Sequence, residues 1–382
     1  MLPFPPDIPV SGIFTQVYSN CETGIRAYSA FCENAVYTGS QHPLWISSWL
    51  DGLSDHQCLI AIVWKDGRPA IALALDVRQY GPLSVAAFVG GTHANNNFPA
   101  LTDQSLDFED LLAALLDIRS ARPDIDAIFL ERQRLELDGR LNPLLKLRHI
   151  ISPNLSLAMD LEASRRTNIM GSPRKMKRHR NTRRKLEAAG GARIFRASTH
   201  EEVDELFDRF LEWKEVRFAQ QGVTNVFGPV EVQKRFRKLF HASLAEQEPS
   251  FILYGLEVGG ILRAVNGYSR SHEGLLCDFL AYRNDELASV GPGEYLTYEV
   301  VVEACARGDA IYDFGVGDET YKRGWCDLER DQMDILLGLT SRGKMFALFT
   351  TALALLKRSI KRNRFASALL RRLRRFRLRH DP

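Results

Sequence analysis

The sequence predicts a mixed α+β fold built as two similar halves, and three observations carry that expectation. Phe251–Val258 and the run at 261–269 are β-type segments joined by Gly259-Gly260, the composition of a tight hairpin turn. Residues 275–282 and 310–314 are two more such runs, separated by a helical stretch at 294–307, which is the pattern of a strand–helix–strand crossover. The same order of elements occurs earlier in the chain, offset by roughly 180–190 residues, as a duplicated unit would show. Hairpins give antiparallel neighbours and a crossover gives a parallel one, so each half should carry a mixed central sheet.

In the first half, helical residues at 43–52 precede a strand at 58–64. Lys65-Asp66-Gly67-Arg68 turns it into a strand at 70–77, and a further strand lies at 83–90. Phe108–Ala121 is amphipathic, with Leu111, Leu112, Leu115 and Ile118 on its apolar side. Asp126-Ala127-Ile128-Phe129-Leu130 then mirrors Asp309-Ala310-Ile311-Tyr312-Asp313. In the second half, residues 201–219 place Val203, Leu206, Phe207, Phe210 and Leu211 on one helical face. Thr199 is the expected N-cap, with Glu202 completing a capping box. Pro229 opens a second amphipathic helix, and the hairpin, the turn His272-Glu273-Gly274 and the crossover follow. A last strand is expected at 333–339 and a helix at 345–378. The expected division is a first domain at 1–165, a basic linking helix at 166–192, a second domain at 193–342 and a basic amphipathic tail at 343–382.

At 45% hydrophobic and 25% charged residues, the chain can bury sizeable cores without disulfides or metals. Its six cysteines form no close pair and no Cys/His cluster, which speaks against a metal site and for a reducing compartment. Met1-Leu2-Pro3-Phe4-Pro5-Pro6 lacks a basic region followed by an apolar run, so a cytoplasmic location is expected. The apolar run at 345–356 is too short to span a bilayer.

The net charge of +3 hides two basic segments. Residues 165–185 hold ten Lys/Arg and no acid, and residues 357–382 hold eleven against Asp381 alone. Such segments meet an anionic partner or form solvated faces. The run at 174–185 is charged all round a helix without interleaved aromatics, so a helix facing an anionic ligand fits as well as nucleic acid does. In the tail, Phe365, Leu369, Leu370, Leu373 and Phe376 recur every three or four residues among arginines. That pattern suits peripheral contact with an anionic inner-membrane surface, or a helix packed on its own domain.

Two segments concentrate the chemistry. Val290-Gly291-Pro292-Gly293-Glu294-Tyr295 is a glycine-rich turn opening a helix. Glycines let a phosphate approach the backbone, and the first helical amides donate to it, so these six residues are the candidate cofactor-binding set; a plain tight loop is the alternative. Glu294 would repel a diphosphate unless it turns away. The strand and loop at 311–325 bring Asp313, Glu319, Tyr321, Lys322 and Trp325 close in sequence. Asp313 could orient an amine or hydroxyl, Glu319 serve as base, Tyr321 as acid and Lys322 neutralise phosphate charge. The alternative makes Tyr321 and Trp325 core anchors and the charges a solvated loop. His93, Asn97, Arg217, Asp278 and Trp325 are the substrate-side candidates, His93 and Asn97 with turn-forming and structural roles as their alternative.

Together these residues resemble the GNAT-type acetyltransferases associated with cellulose and other polysaccharide biosynthesis, the CelD/BcsL-like group. The resemblance rests on the basic run at 174–185 followed by Leu186-Glu187-Ala188-Ala189-Gly190-Gly191, then on residues 210–222, 289–296 and 313–325 in that order. Its most specific part is Tyr312-Asp313-Phe314-Gly315 with Gly317, Glu319, Tyr321, Lys322 and Trp325, and it spans about residues 45–339. It implies tandem GNAT-like domains, similar to the FemAB-like aminoacyltransferases that build peptidoglycan bridges. It implies direct acyl transfer from a CoA thioester, acetyl-CoA first, to an amine or hydroxyl of a sugar, polysaccharide precursor or related small molecule, with no metal. The usual Gln/Arg-x-x-Gly-x-Gly/Ala phosphate motif is not present, and residues 290–296 take its place. An aminoacyl-tRNA donor and a non-catalytic accessory role in a polysaccharide-synthesis complex are the competing readings. The counterpart of the 311–325 segment in the first half, Asp126 to Arg132, lacks the Gly-x-Gly and Tyr-Lys elements, which assigns the chemistry to the second half.

Overall fold

The computed structural model describes residues 11–167 and 173–362. In chain order the first half contains β1 (Ile13–Tyr18), α1 (Cys21–Cys32), α2 (Pro43–Leu50), β2 (Cys58–Lys65), β3 (Arg68–Tyr80), β4 (Leu83–Phe88), β5 (Ala100–Leu101), α3 (Phe108–Ala121), β6 (Ala127–Arg134), the small hairpin β7 (Glu136–Leu137) and β8 (Arg140–Leu141), and β9 (His149–Asp160). After α4 (Leu161–Thr167) and α5 (Pro173–Ala188) come β10 (Ala192–Arg196), α6 (His200–Gln221), α7 (Val230–Ser243), β11 (Phe251–Val258), β12 (Ile261–Ser271), β13 (Gly274–Tyr282), α8 (Pro292–Arg307), β14 (Ile311–Val316), α9 (Thr320–Arg323), β15 (Leu328–Gly338) and α10 (Ser341–Arg362).

One large sheet runs through the molecule in the order β1-β2-β3-β4-β6-β15-β9-β14-β13-β12-β11-β10. Read from either end the order is the same: a run of antiparallel strands, one parallel pair (β4–β6 or β13–β14), then the last strand of the other half. β15 pairs with β6, β9 pairs with β14, and the two exchanged strands pair antiparallel at the centre. The mixed α/β architecture and its internal duplication are therefore as the element order predicted. The exchange itself is a finding, because β9 carries Pro153 and Asn154 and reads as a loop.

Local sequence accounts for most boundaries. All but the last residue of β2 is buried, the mark of a central strand covered on both faces. Thr199 caps α6 through Glu202 N, and Gly222 ends it in the left-handed region. The capping box differs from expectation: the Glu202 carboxylate accepts from Ser198 N at 2.8 Å and from the Ser198 hydroxyl at 2.9 Å, one residue further back. The last strand of the second half begins at Leu328, five residues earlier than its apolar stretch suggests, because Leu328–Asp331 are held by β9. The C-terminal helix is described only to Arg362, so the tail residues Phe365 to Phe376 lie outside the described residues.

Three cores cover the sheet. One lies beneath α3 and another beneath α8. The third joins the halves, with Trp45 and Trp49 of α2 packed edge-on to Phe236 of α7. Each buried aromatic of this kind is worth roughly 1.5–3 kcal/mol, so the inter-half core alone is comparable with a domain's net stability.

Candidate active site

The site begins where two strands part. β13 and β14 pair only at Gly274–Leu276 against Ile311–Asp313. Gly274 sits at φ +146°, and a Cβ there would fall 2.1 Å from the Ile311 carbonyl oxygen, so only glycine allows this close start. Across β13, its register with β12 slips between Gly267 and Tyr268, leaving Asp278 as an extra, unpaired residue. Past this bulge β13 has no partner on the β14 side, and the gap opens into a cavity of about 270 Å³. Leu280 and Tyr282 of β13 line it, with Gly291, Pro292, Gly293, Glu294 and Thr297 from the start of α8. Arg178 of α5, Arg217 of α6, Tyr321 and Trp325 close it.

The helix end in this cavity is open. Gly291 caps α8 at φ +90° with no side chain of the described residues bonded to the first-turn amides, and Pro292 at the first helical position has no N–H to lose. Glu294 is the anion that would oppose a phosphate, and α5 removes that problem. Its carboxylate pairs with Lys175 and, at 3.3 Å, with Arg178. α5 is itself held on α8: His179 stacks on Tyr298 at 3.6 Å and on Tyr295 at 4.9 Å, and the Thr182 hydroxyl donates to the Val290 carbonyl at 3.0 Å. Uncapped amides, glycines and a flanking guanidinium are the surroundings that suit a phosphate group.

The corresponding helix of the first half is closed. Asp107 caps α3 through Asp110 N at 2.9 Å, Asp110 returns the bond to Asp107 N at 2.8 Å, and Lys65 pairs with Asp110 at 2.5 Å. Two carboxylates occupy the place a phosphate would take.

On the far wall, Arg217 lies over the Tyr282 ring at 5.7 Å. One turn away, the Lys214 ammonium sits between the rings of Phe210 and Phe218, at 5.7 and 5.4 Å. Burial, with the Arg217 charge beside it, pushes the Lys214 ammonium down to about 8. Among the described residues neither cation has a carboxylate partner. Arg217 and Tyr282 also border a polar groove of about 760 Å³, lined further by Trp213, Gln220, Gln221 and Asn284.

Of the sequence candidates, Gly291, Pro292, Gly293, Glu294, Arg217, Tyr321 and Trp325 thus meet in one cavity. Tyr321 is 44% exposed, and partial desolvation at the cavity edge holds its phenol above the ordinary range. Trp325 is buried, with the Lys175 ammonium 5.0 Å above its ring. Val290 and Tyr295 stand behind the wall as contacts of α5. Asp313 is buried and bonded by the Ser156 hydroxyl at 2.8 Å, Gly315 N at 2.7 Å and Asn96 at 3.3 Å. Lys322 turns inward, donating to the Val316 carbonyl at 2.9 Å and pairing with Glu319 at 3.1 Å. His93 is packed among Trp49, Phe227 and Phe236, and burial pushes it down to about 4. Asn97 bridges Gln41 at 3.0 Å and the Glu131 carbonyl at 2.9 Å. Asp278 sits on the bulge, two residues before Leu280, with Asn95 of the first half donating to its carboxylate and carbonyl at 3.3 Å. Burial, with the Asp313 charge behind it, pushes Asp278 up to about 7 against the bonds from Ser269 and Asn95.

Leu280, Tyr282 and Thr297 escaped the sequence reading, and Arg178 entered it only as one residue of the basic run at 174–185. For Arg178 a signal existed: His179, Thr182 and Leu186 recur at helical spacing and form the face that packs on α8, but only Leu186 is apolar.

No curated protein matches the sequence. Residues 173–323 match the family profile of the acetyltransferase (GNAT) domain. Among solved structures, FemX is similar at 14% identity and TM-score 0.57, over 82% of this chain and 96% of that one. The C-terminal domain of an Agrobacterium fabrum protein named as a lysylphosphatidylglycerol synthetase is similar at 10% identity and TM-score 0.52, over 87% and 96%. A conserved protein of unknown function from Bacteroides thetaiotaomicron is similar at 14% identity and TM-score 0.52, over 88% and 100%. At these identities the likeness is one of fold. The chain therefore has a GNAT-like fold, and the segment that matches the acetyltransferase (GNAT) domain runs from the start of α5 to the end of α9, around the cavity.

Proposed function

We propose that this protein is an acyltransferase that takes an acyl group, acetyl in the first instance, from a CoA thioester and passes it to an amine or hydroxyl of an anionic sugar, polysaccharide precursor or related small molecule. One observation carries the reading: a single cavity joins the uncapped start of α8 to Arg178, Arg217 and Tyr321. When bound, the thioester supplies the activated acyl group. The amides of the first turn of α8, with Arg178, hold the diphosphate. Asp278, two residues before the cavity-lining Leu280 on the same strand, is the carboxyl nearest in sequence to the cavity wall on β13 and the candidate to accept the proton of the attacking group, its carboxyl raised toward neutrality. Tyr321 keeps its phenolic proton and gives it to the departing group. Arg217, without a carboxylate partner among the described residues and with the Lys214 ammonium one turn away adding positive charge, favours an acceptor with a carboxylate or phosphate, and the adjoining polar groove gives a sugar room.

Calorimetric titration with acetyl-CoA tests the donor. The wild type should bind saturably, and Arg178→Ala should weaken binding about tenfold, the loss of one charge-assisted phosphate contact. No binding of any acyl-CoA would overturn the reading, and salt-sensitive tRNA binding in its place would transfer the donor role to an aminoacyl-tRNA.

A further inference from the structure

We propose that α10 docks the protein on an anionic lipid bilayer surface, lying in the plane of the interface. The helix crosses β6, β15 and β9, where the two half-sheets meet. Its start is fixed there: Leu339 N donates to the Asp126 carbonyl at 2.8 Å, the Thr340 hydroxyl donates to the Asp126 carboxylate at 2.5 Å, and Gly343 passes so close that a Cβ would fall 1.7 Å from the Asp126 carbonyl oxygen. With its start locked, α10 borders a groove along the sheet with Ala347, Thr350, Thr351 and Ala354, and with Lys344 and Leu348 at its rim, Leu348 still 69% exposed.

The outward face is the large apolar one. Met345, Leu348, Phe349, Leu355 and Leu356 are 74, 69, 65, 47 and 57% exposed, and their spacing puts them on one stripe of the helix. These five form a patch that folding alone does not require, larger than the exposed stripe of Phe108, Leu112 and Leu116 on α3, the helix that carries the other such row among the described residues. The charge before and after the stripe in the sequence has one sign. Arg342 and Lys344 precede it, and the sequence of the same helix continues with Lys357, Arg358, Lys361 and Arg362. No Asp or Glu occurs from Ile335 to His380. A partner must therefore offer apolar depth and negative charge together, which an anionic bilayer does. A second copy of α10 would set these cations against their own kind. α10 is not long and apolar enough to cross a membrane, which leaves the interfacial position. This proposal holds whatever group the cavity transfers.

Co-sedimentation of the full chain with phosphatidylcholine vesicles, with and without about 30 mol% phosphatidylglycerol, tests it. Partition should be strong only on the anionic vesicles. The double variant L348S/F349S changes exposed positions, keeps every cation and should lower partition roughly tenfold or more, with circular dichroism unchanged. K357Q/R358Q/K361Q/R362Q should do the same by removing charge. The proposal is overturned if the wild type ignores anionic vesicles, if L348S/F349S binds like the wild type, or if sedimentation without lipid shows a wild-type dimer that L348S/F349S abolishes.

Discussion

Asp278 owes its character to a one-residue slip in a strand register. The bulge removes its cross-strand neighbour, and burial, with the Asp313 charge behind it, raises its carboxyl to about 7. If it serves as base, kcat should climb as pH rises through about 7, and Asp278→Asn should cost about 10²–10⁴-fold while erasing that climb. Stability moves the other way. The folded chain holds this proton to higher pH than the unfolded chain does, so the group's contribution is full below the ordinary carboxylate range and is lost as pH rises to 7. Thermal melts of wild type should therefore fall between about pH 4 and 7 more steeply than those of Asp278→Asn. A second residue-level expectation concerns Lys214: Lys214→Met should raise KM for an acidic acceptor while leaving acetyl-CoA affinity in place, and equal KM for acidic and neutral acceptors in both proteins would remove the argument for an anionic substrate. Residue types were legible in the sequence where side-chain directions were not. Tyr321 and Lys322 are neighbours of equal promise, yet α9 points one into the cavity and the other at the Gly315 and Val316 carbonyls.

α8 and α5 work as one element. The glycine turn was readable because Gly-Pro-Gly before a helix has few conformations, and the structure gives Gly291 the left-handed one. What the local sequence does not hold is the answer to Glu294, since Lys175 and Arg178 lie more than a hundred residues away and reach it only because His179, Thr182 and Leu186 seat α5 on α8. Gly291→Ala should cost roughly 1–2 kcal/mol of stability from backbone strain and weaken acetyl-CoA binding at the same time, both readable in one thermal-shift series with and without ligand. Unchanged affinity with lowered stability would mean that the turn shapes the helix without meeting the donor. The mirror position, Asp107, shows how the halves differ: α3 has a self-satisfied acidic cap, so Asp107→Ala should leave donor binding alone.

At the scale of the whole molecule, the repeated order of elements made the duplication legible, because local hairpins and crossovers write themselves into short stretches of sequence. The exchange of β9 and β15 did not show, because pairing between strands some 170 residues apart leaves no local periodicity. It has a consequence for folding. Residues 1–165 contain β6 without its neighbour β15 and β9 without either of its partners; residues 166–382 contain β14 without β9 and β15 without β6. Each piece would expose unpaired central strand edges and half of the Trp45–Phe236 core. Expressed alone, each should aggregate or unfold without a cooperative transition; expressed together, they should combine into a soluble pair that melts as one unit. Asn95 and Asn96 give that pairing a functional readout, since the first half supplies the bonds that hold Asp278 and Asp313 of the second. Activity should return only in the combined pair. A lone 166–382 piece with cooperative melting and full turnover would show that the first half is a passenger, and that the exchanged strands serve neither stability nor the site.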